Sequence, residues 1–484
     1  MKIKVNHILL FLIFAFSLAF RLYLVLNAQN FADQDAYFQL RHINSVVDDK
    51  KIIYYDQLSY GGRYILHPPL FYIVMAFLTF GNKLMLKIIP EIFFSLIVFL
   101  VYFMAKDVSG NEKAALFSAM LAAFIPIFIQ KTVNTLSTYS LALPLLLLML
   151  YSLLKLDEKI YRNIFIACSF LLPLIHPIAI LFILCILIYF ILLSGGAVSP
   201  TKIKKEAILF STLIIVLMEF IIYKKALFSY GLNAIWENIP ANILDDLYRQ
   251  FSVNDLVIGL GILPLVLGSI GVYLGIKEKK KSIYLYSSFL LTILLLLSTR
   301  LITLSVGLMV LGIFLSIFVA ITINYIVFYI NRTKLHKINY FIAFILIFLF
   351  VILSFIPSLG NGKVSSLDND VIGDMLWLKE NTNKDDVVVG NLMEGNIITS
   401  IAERKNVVDA NFLLAQNSVK RLKDINGLYT TFTEAKALEI IRRYNIKVIY
   451  LSDETQKIYG IKDLNFVKGS NCFDWRLKFY VFKC

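Results

Sequence analysis

The sequence predicts a polytopic α-helical membrane protein of about eleven spans, followed by a small extracytoplasmic α/β domain. The 484 residues are 58% hydrophobic and only 17% charged. The mean hydropathy of +0.74 is too apolar for a soluble protein, and many apolar runs are long enough to cross a bilayer. After Pro357 the composition becomes polar, and short β-branched runs alternate with helical patterns, which is typical of an α/β domain.

The net charge of +14 does not indicate a nucleic-acid-binding protein. Lysine and arginine occur in short clusters between the hydrophobic runs, as expected of cytoplasmic loops in a membrane protein. We therefore expect membrane lipids, and no nucleic acid, among the partners.

The first element is an apolar run over residues 8–26, preceded by two lysines. No small-residue cleavage site precedes Asn30, and the run is long enough to span. We interpret it as a retained first helix with its N-terminus in the cytoplasm.

The next apolar run, residues 70–80, is too short to span a bilayer. If it is an external or re-entrant helix, all the basic loops face the cytoplasm, in agreement with the positive-inside tendency. Those loops are residues 106–113, 155–162, 202–205, 277–281 and 332–337.

The later spans follow from the remaining apolar runs. They are residues 85–105, 114–130, 139–154, 162–176, 178–194, 207–223, 255–276, 282–298, 302–330 and 339–356. An odd number of spans that starts in the cytoplasm leaves the C-terminus outside. We therefore divide the chain into a transmembrane domain, residues 1–357, and an extracytoplasmic α/β domain, residues 358–484.

Within the C-terminal domain, β-branched and aromatic runs predict strands near residues 387–389, 407–408, 448–451 and 479–482. Thr431 and Glu434 fit a capping box at the start of a helix. Cys472 and Cys484 pair if the domain is extracellular and their Cα atoms approach closely, which the sequence leaves open. No Cys/His spacing predicts a zinc site.

The segment NFADQDAYFQLR, residues 30–41, is the first candidate for a catalytic site. It holds two carboxylates at the membrane edge, and because a carboxylate in hydrocarbon carries a large free-energy penalty, such residues often have a function. Asp35, with Asp33 in reserve, can serve as a general base for an acceptor hydroxyl, or as a ligand for Mg²⁺ or Mn²⁺. Arg41 is a candidate for a bidentate contact with phosphate. The alternative is a solvated loop with a local ion pair.

Other polar residues of the external segments have both a structural and a functional interpretation. His67, before two prolines, either orders its loop or contacts phosphate or a sugar hydroxyl. Arg300 either snorkels to the interface or binds donor phosphate. His176-Pro177 predicts a helical hairpin turn, and a loop containing Glu237 predicts a solvated connector or a flap over a lipid-linked donor.

Residues 35–41, DAYFQLR, resemble the D-(P/S)-Y-Y-H-L-R segment of the catalytic subunit of archaeal and eukaryotic oligosaccharyltransferases, and more broadly of GT-C glycosyltransferases. Further segments resemble pieces of these enzymes in the same order: LHPPLFY at 66–72, AAFIP at 122–126 with QKTV at 130–133, TRL at 299–301, and DMLWLKENT at 374–382. The resemblance covers nearly the whole chain.

The resemblance implies a sugar donor linked to a polyprenyl (dolichyl) phosphate or pyrophosphate, and an essential acidic residue in the first external loop, here Asp35. It implies a glycan, lipid or protein acceptor. Two departures bear on function. Residues 138–140 lack the family's second acidic motif, which argues against a metal site built from two acidic loops. Residues 391–396, NLMEGN, replace the sequon-reading WWDYG, which argues against recognition of an Asn-X-Ser/Thr acceptor.

Three functions are compatible with these observations. The first is a GT-C glycosyltransferase with a lipid-linked donor on the external face. The second is a catalytically degenerate relative that acts as a lipid-binding or assembly subunit, favoured by the missing second acidic motif. A transporter ranks last, because we expect almost uniformly apolar spans, whereas transport calls for ionisable groups near the membrane centre.

Overall fold

A computed structural model of the chain describes residues 5–196, 198–332, 339–361, 366–468 and 470–484. Its first part is helical. The α-helices up to residue 361 are Val5–Asn27, Gln34–Asp48, Leu70–Thr79, Lys83–Ser95, Ile97–Ser109, Glu112–Ala123, Pro126–Thr132, Tyr139–Leu154, Lys159–Leu171, Ala179–Gly195, Lys202–Tyr230, Ala241–Leu247, Val253–Leu260, Ile262–Ile276, Lys281–Ser298, Leu304–Asn331, Asn339–Phe350 and Ile356–Asn361.

The polytopic helical fold is confirmed, but the number of spans stays a prediction. In the described parts of the chain, five helices are long and apolar enough to cross a membrane, and up to seven spans result if two bent helix pairs count as one span each. Three of the five are Val5–Asn27, Lys281–Ser298 and Leu304–Asn331. The other two each join two consecutive helical segments into one stretch, Lys83–Ser109 and Lys202–Trp236. Shorter apolar helices occupy most of the other predicted spans. The orientation of the termini also stays a prediction.

The span predicted over residues 255–276 is broken in the structure. Val253–Leu260 and Ile262–Ile276 are two helices that meet at an angle of 104°. Gly261 lies between them with φ +80° and ψ 153°, a conformation that cannot continue a helix and that glycine adopts without a Cβ clash. The predicted span 114–130 is also bent, by 48°, between Glu112–Ala123 and Pro126–Thr132.

Leu304–Asn331 forms the centre of the helical part. Residues 304–323 of this helix are almost all buried, and the helix packs against Ile262–Ile276, Glu112–Ala123 and Ile97–Ser109. A Cβ at Gly271 would lie 2.0 Å from the carbonyl oxygen of Phe318, so the two helices cross with their backbones in contact. Small residues commonly allow such close crossings between membrane helices.

Three buried charged residues interrupt spans that are otherwise apolar. Arg21, Glu91 and Glu219 are buried inside Val5–Asn27, Lys83–Ser109 and Lys202–Trp236 respectively. A charge in hydrocarbon is costly, so a buried one needs a partner. Arg21 and Glu91 supply this partner to each other.

The C-terminal part contains a five-stranded sheet in the spatial order Lys405–Asn406, Val387–Val389, Ile446–Tyr450, Phe479–Phe482 and Phe473–Arg476. The first three strands are parallel, and the last two join antiparallel. The same part of the chain contains four longer helices, Asn369–Asn381, Ser418–Thr430, Glu434–Tyr444 and Asp453–Tyr459. A second, two-stranded ladder pairs Tyr55–Asp56 with Arg63–Tyr64 in the first loop.

Two local predictions in this part are wrong. The strand expected at residues 407–408 is Lys405–Asn406, since Val388 pairs with Asn406. Thr431 does not cap the following helix, because its backbone N–H donates to Gly427 and closes the preceding helix. The N-cap before Glu434 is Thr433, which makes no side-chain cap hydrogen bond.

Cys472 and Cys484 form a disulfide with a Cα–Cα distance of 5.1 Å, which settles the pairing that the sequence left open. Cys168 and Cys185 are buried free thiols. Part of the predicted basic loop 332–337 and of the linker around the predicted domain boundary, residues 333–338 and 362–365, lie outside the described residues. The division at residue 357 stays a prediction.

Candidate active site

A cavity of about 370 Å³ opens beside the N-terminus of helix Gln34–Asp48. Its wall comes from the first loop, residues 131–139, the turn at residues 175–177, Tyr223 and Glu237, the start of Leu304–Asn331 and the C-terminal part. Three residues predicted from the sequence lie on it: Asp33, Asp35 and His67. The structure therefore brings the acidic segment and the HPPLFY segment into one pocket.

Asp33 fixes the start of helix Gln34–Asp48 and so positions Asp35. Its backbone is extended, and its carboxylate accepts a hydrogen bond of 2.9 Å from the backbone N–H of Ala36. Aspartate is among the residues preferred at this helix position, because it satisfies an N–H that the helix leaves free. Asp35 follows in the first turn, where the helix dipole favours negative charge.

The side chain of Asp35 is exposed and opens onto the cavity. Desolvation, followed by the negative charges of Asp33, Glu237 and Asp409, raises its pKa to about 7. Lys131 opposes this shift. No hydrogen bond joins this carboxylate to another group within the described residues. Asp35 therefore has an acid–base transition near neutrality, as a general base or acid requires.

Glu237 is a third carboxylate on the cavity wall. It adopts a left-handed backbone conformation with φ +52° at the end of the short 3₁₀ helix Gly231–Trp236. The indole Nε1 of Trp236 donates to the backbone carbonyl of Arg300 at 2.9 Å. This contact ties the loop to the end of a neighbouring helix. Desolvation raises the pKa of Glu237 as well.

Two cationic side chains line the cavity, Arg63 and Lys131. Arg63 is buried and paired with Asp409 at 3.1 Å, and it also donates to Ser59 Oγ and to the carbonyl of Asn411. Lys131 is exposed to the cavity. It makes no ion pair or hydrogen bond within the part of the chain that the structure describes.

The two arginines predicted from the sequence do not lie on this cavity. Arg41 belongs to the same helix as Asp35 and forms a bidentate pair with Asp56, at 2.6 and 2.8 Å. Its guanidinium is therefore held by a carboxylate within the first loop. Arg300 is half exposed and lies 3.2 Å from Asp245. Contact of either arginine with a donor phosphate stays a prediction.

Neutral rings complete the wall. Tyr139 and His176 pack with ring centroids 4.3 Å apart, and His176 Nδ1 accepts from the backbone N–H of Ile178 at 3.0 Å. The hairpin turn predicted at His176-Pro177 is thus also part of the cavity. Burial, with His42 and Arg63 nearby, lowers the pKa of His67 to about 3, so this imidazole is neutral near pH 7.

A buried polar network holds the cavity loops in place. Arg21 Nη1 lies 2.9 Å from Glu91 Oε2, and Arg21 Nη2 donates to Thr132 Oγ1 at 2.9 Å. Glu91 Oε1 accepts from the backbone N–H of Asn134. Asn134 Nδ2 in turn donates to the carbonyl of Asn30 at 2.8 Å. The network therefore joins two membrane helices to the end of helix Pro126–Thr132, which carries Lys131, and to the loop before Gln34, which carries Asp33.

Glu394, in the segment that replaces the sequon-reading motif, does not line the cavity. It is buried and accepts hydrogen bonds from Thr455 Oγ1 at 3.0 Å, from the Asn391 backbone N–H at 2.7 Å, and from Ser452 Oγ. Burial raises the pKa of Glu394 to about 7. Its contacts are those of a structural residue within its own domain.

Asp33, Asp35 and Glu237 are the carboxylates of the cavity wall that could contact a metal ion. Among the described residues, no three His, Cys, Asp or Glu side chains lie close enough together to hold a metal ion. The role of Asp35 as a metal ligand therefore stays a prediction, and we derive no chemical step through a metal.

Sequence reasoning missed the roles of Arg63, Lys131 and the Arg21–Glu91 pair, and it left the loop of Glu237 open between a solvated connector and a flap. The signal for the pair was available, because a lone charge inside an apolar run marks a buried partner or a site. Lys131 and Arg63 offered weaker signals, since each is one basic residue among many in loops. Only the tertiary structure assigns them to the cavity.

No protein-family model matches the chain, and no curated protein matches it in sequence. Several solved structures match the chain in fold. The apo oligosaccharyltransferase of Archaeoglobus fulgidus has a TM-score of 0.72 and 13% identity, over 96% of this chain and 72% of that one. The oligosaccharyltransferase AglB of Archaeoglobus fulgidus, in complex with an inhibitory peptide and a dolichol-phosphate, has a TM-score of 0.69 and 13% identity. That match covers 91% of this chain and 69% of that chain.

ArnT from Cupriavidus metallidurans, bound to undecaprenyl phosphate, gives a TM-score of 0.60 and 10% identity, over 98% of this chain and 97% of that chain. These neighbours are GT-C membrane glycosyltransferases. The GT-C resemblance predicted from the sequence is therefore confirmed at the level of the fold. Function depends on the site and not on the fold alone.

Proposed function

We propose that the chain is an integral-membrane glycosyltransferase that takes a sugar from a polyprenyl (dolichyl) phosphate- or pyrophosphate-linked donor on the external face of the membrane. The observation that carries the proposal is the position of Asp35. Its carboxylate faces a cavity that also contains Lys131, at the end of an apolar helical bundle. The fold shared with AglB and ArnT, solved with dolichol-phosphate and undecaprenyl phosphate, supports a lipid-linked donor.

In the proposed reaction, an acceptor nucleophile attacks the anomeric carbon of the donor sugar. The bond from that carbon to the carrier oxygen breaks, and its electron pair stays on the phosphate. Asp35 takes the proton of the nucleophile, for which a pKa of about 7 suits it. Lys131 faces the negative charge that develops on the departing phosphate, and a fixed cation there lowers the barrier.

The test is a membrane assay with a radiolabelled polyprenyl-phosphate sugar and glycan, lipid and peptide acceptors. We expect turnover in the wild type and its loss in Asp35→Asn. Asp246→Asn is the matched control, because Asp246 is an exposed carboxylate of helix Ala241–Leu247 and does not line the cavity. Equal activity in Asp35→Asn would remove Asp35 from its proposed role.

The second candidate is a lipid-binding or assembly subunit without activity. The absence of a carboxylate at residues 138–140 favours it. Binding of the lipid carrier without turnover under any metal condition, Mg²⁺ and Mn²⁺ included, would support this second candidate.

A further inference from the structure

The charges of the cavity wall bear on which phosphate group the site accepts. Three carboxylates line the cavity, those of Asp33, Asp35 and Glu237, together with two cations, Arg63 and Lys131. At close range, each further negative charge in such a site is repelled, and more strongly than in bulk water. The balance between these groups therefore selects among anionic ligands.

Ion pairing removes one of the two cations from this balance. Arg63 is neutralised by Asp409, and three of its nitrogens are already engaged with Ser59, Asp409 and backbone carbonyls. Lys131 is the one cation of the cavity wall that lacks such a partner among the described residues. A single lysine thus faces three carboxylates.

A bound divalent cation would not reverse this balance. With all three carboxylates ionised and one Mg²⁺ or Mn²⁺ brought in with the donor, the charges of the carboxylates, the metal and Lys131 would sum to neutrality. The remaining wall supplies neutral hydrogen-bonding groups, among them His67, Tyr72 and Tyr139. Such groups hydrogen-bond to phosphate oxygens but do not offset a second full charge.

We propose that the donor is a sugar linked to a polyprenyl monophosphate, a phosphodiester with one negative charge, and not one linked to a pyrophosphate. The inference rests on the proposed function and narrows its donor class. On transfer, the anomeric carbon–oxygen bond breaks and the carrier phosphate gains one negative charge, while Asp35 takes the acceptor's proton. Lys131 faces that one added charge. A pyrophosphate brings a further charge beside the carboxylates, both before and after transfer.

The test is equilibrium binding of radiolabelled farnesyl phosphate and farnesyl pyrophosphate, which share one prenyl tail, to the full chain in lipid nanodiscs. Each is measured with a chelator and again with excess Mn²⁺. We expect the monophosphate to bind about tenfold more tightly in both conditions. Lys131→Ala should weaken its binding, whereas Lys423→Ala, a change at an exposed lysine outside the cavity, should not.

Glu237→Gln provides the complementary variant, because it removes one negative charge from the wall without removing bulk. We expect it to narrow the preference for the monophosphate. Equal or tighter binding of the pyrophosphate, in either condition, overturns the inference and leaves the proposed function standing. Failure of both carriers to bind contradicts the proposed function itself, and the inference with it.

Discussion

Arg21 and Glu91 form an ion pair of 2.9 Å between two membrane helices, and both side chains are fully buried. The pair does more than neutralise two charges. Arg21 also donates to Thr132, at the end of a helix that borders the cavity, and Glu91 accepts from the Asn134 backbone in the segment that follows. The guanidinium further lies over the rings of Phe94 and Phe128. We therefore infer that the pair positions the segment that contains Thr132 and Asn134.

Glu91→Ala should destabilise the chain by about 3–5 kcal/mol, because it leaves the Arg21 charge buried without its partner. The double variant Arg21→Met/Glu91→Leu should recover most of that stability, since two apolar side chains replace the pair. Activity should stay low in the double variant, because the contacts to Thr132 and Asn134 are still absent. Thermal unfolding in detergent and the glycosyl-transfer assay measure the two effects separately. Full activity in the double variant would show that the pair positions nothing.

The rate of glycosyl transfer should increase with pH up to about 7 and then level off. Asp35 acts as a base only when ionised, and its pKa is raised to about 7 by desolvation and by neighbouring carboxylates. Asp33→Asn removes one of those charges but keeps a good helix cap. The midpoint of its pH–rate profile should therefore shift to lower pH. An unshifted midpoint would assign the transition to another group.

The stability of the C-terminal part should decrease as the pH rises from about 4.5 to about 7. Burial raises the pKa of Glu394 to about 7 from its ordinary 4.5. In that window the folded state therefore holds a proton that the unfolded state has released, so unfolding becomes easier as the pH rises. Over this window, the titration of Glu394 lowers the free energy of unfolding by about 3 kcal/mol.

Glu394→Gln should flatten this dependence, because glutamine does not titrate. Apparent unfolding midpoints of the two proteins across the window provide the measurement. Because other groups titrate in both, the readout is the difference between their curves. Parallel curves would contradict the assignment to Glu394.

The predicted extracytoplasmic position of the C-terminal domain can be measured with the native cysteines. In Cys472→Ser, the exposed Cys484 becomes a free thiol, while Cys168 and Cys185 stay buried. We expect a membrane-impermeant maleimide to label this variant on intact cells, and to leave Cys472→Ser/Cys484→Ser unlabelled. Labelling that requires permeabilised cells would place the domain in the cytoplasm and overturn the topology.

The fold was largely predictable because it follows from local composition. Apolar runs produced the helices, and the β-branched runs at Val387–Val389 and Ile446–Tyr450 became neighbouring strands. The break at Gly261 was not predicted, since a single glycine within an apolar run does not by itself decide whether the helix continues. The edge strand Lys405–Asn406 was misplaced because its pairing with Val387–Val389 sets its register.

The sequence by itself determined a membrane protein with the GT-C fold and an acidic segment after its first helix, because hydropathy and motif order are written along the chain. The tertiary structure decided which charges share the cavity. It placed Lys131, Glu237 and Arg63 beside Asp35 and left Arg41 paired with Asp56 elsewhere. The physical reason is that helix packing sets the distances between residues far apart in sequence. Those distances determine whether a charged side chain is already ion-paired within the protein or is available to a ligand.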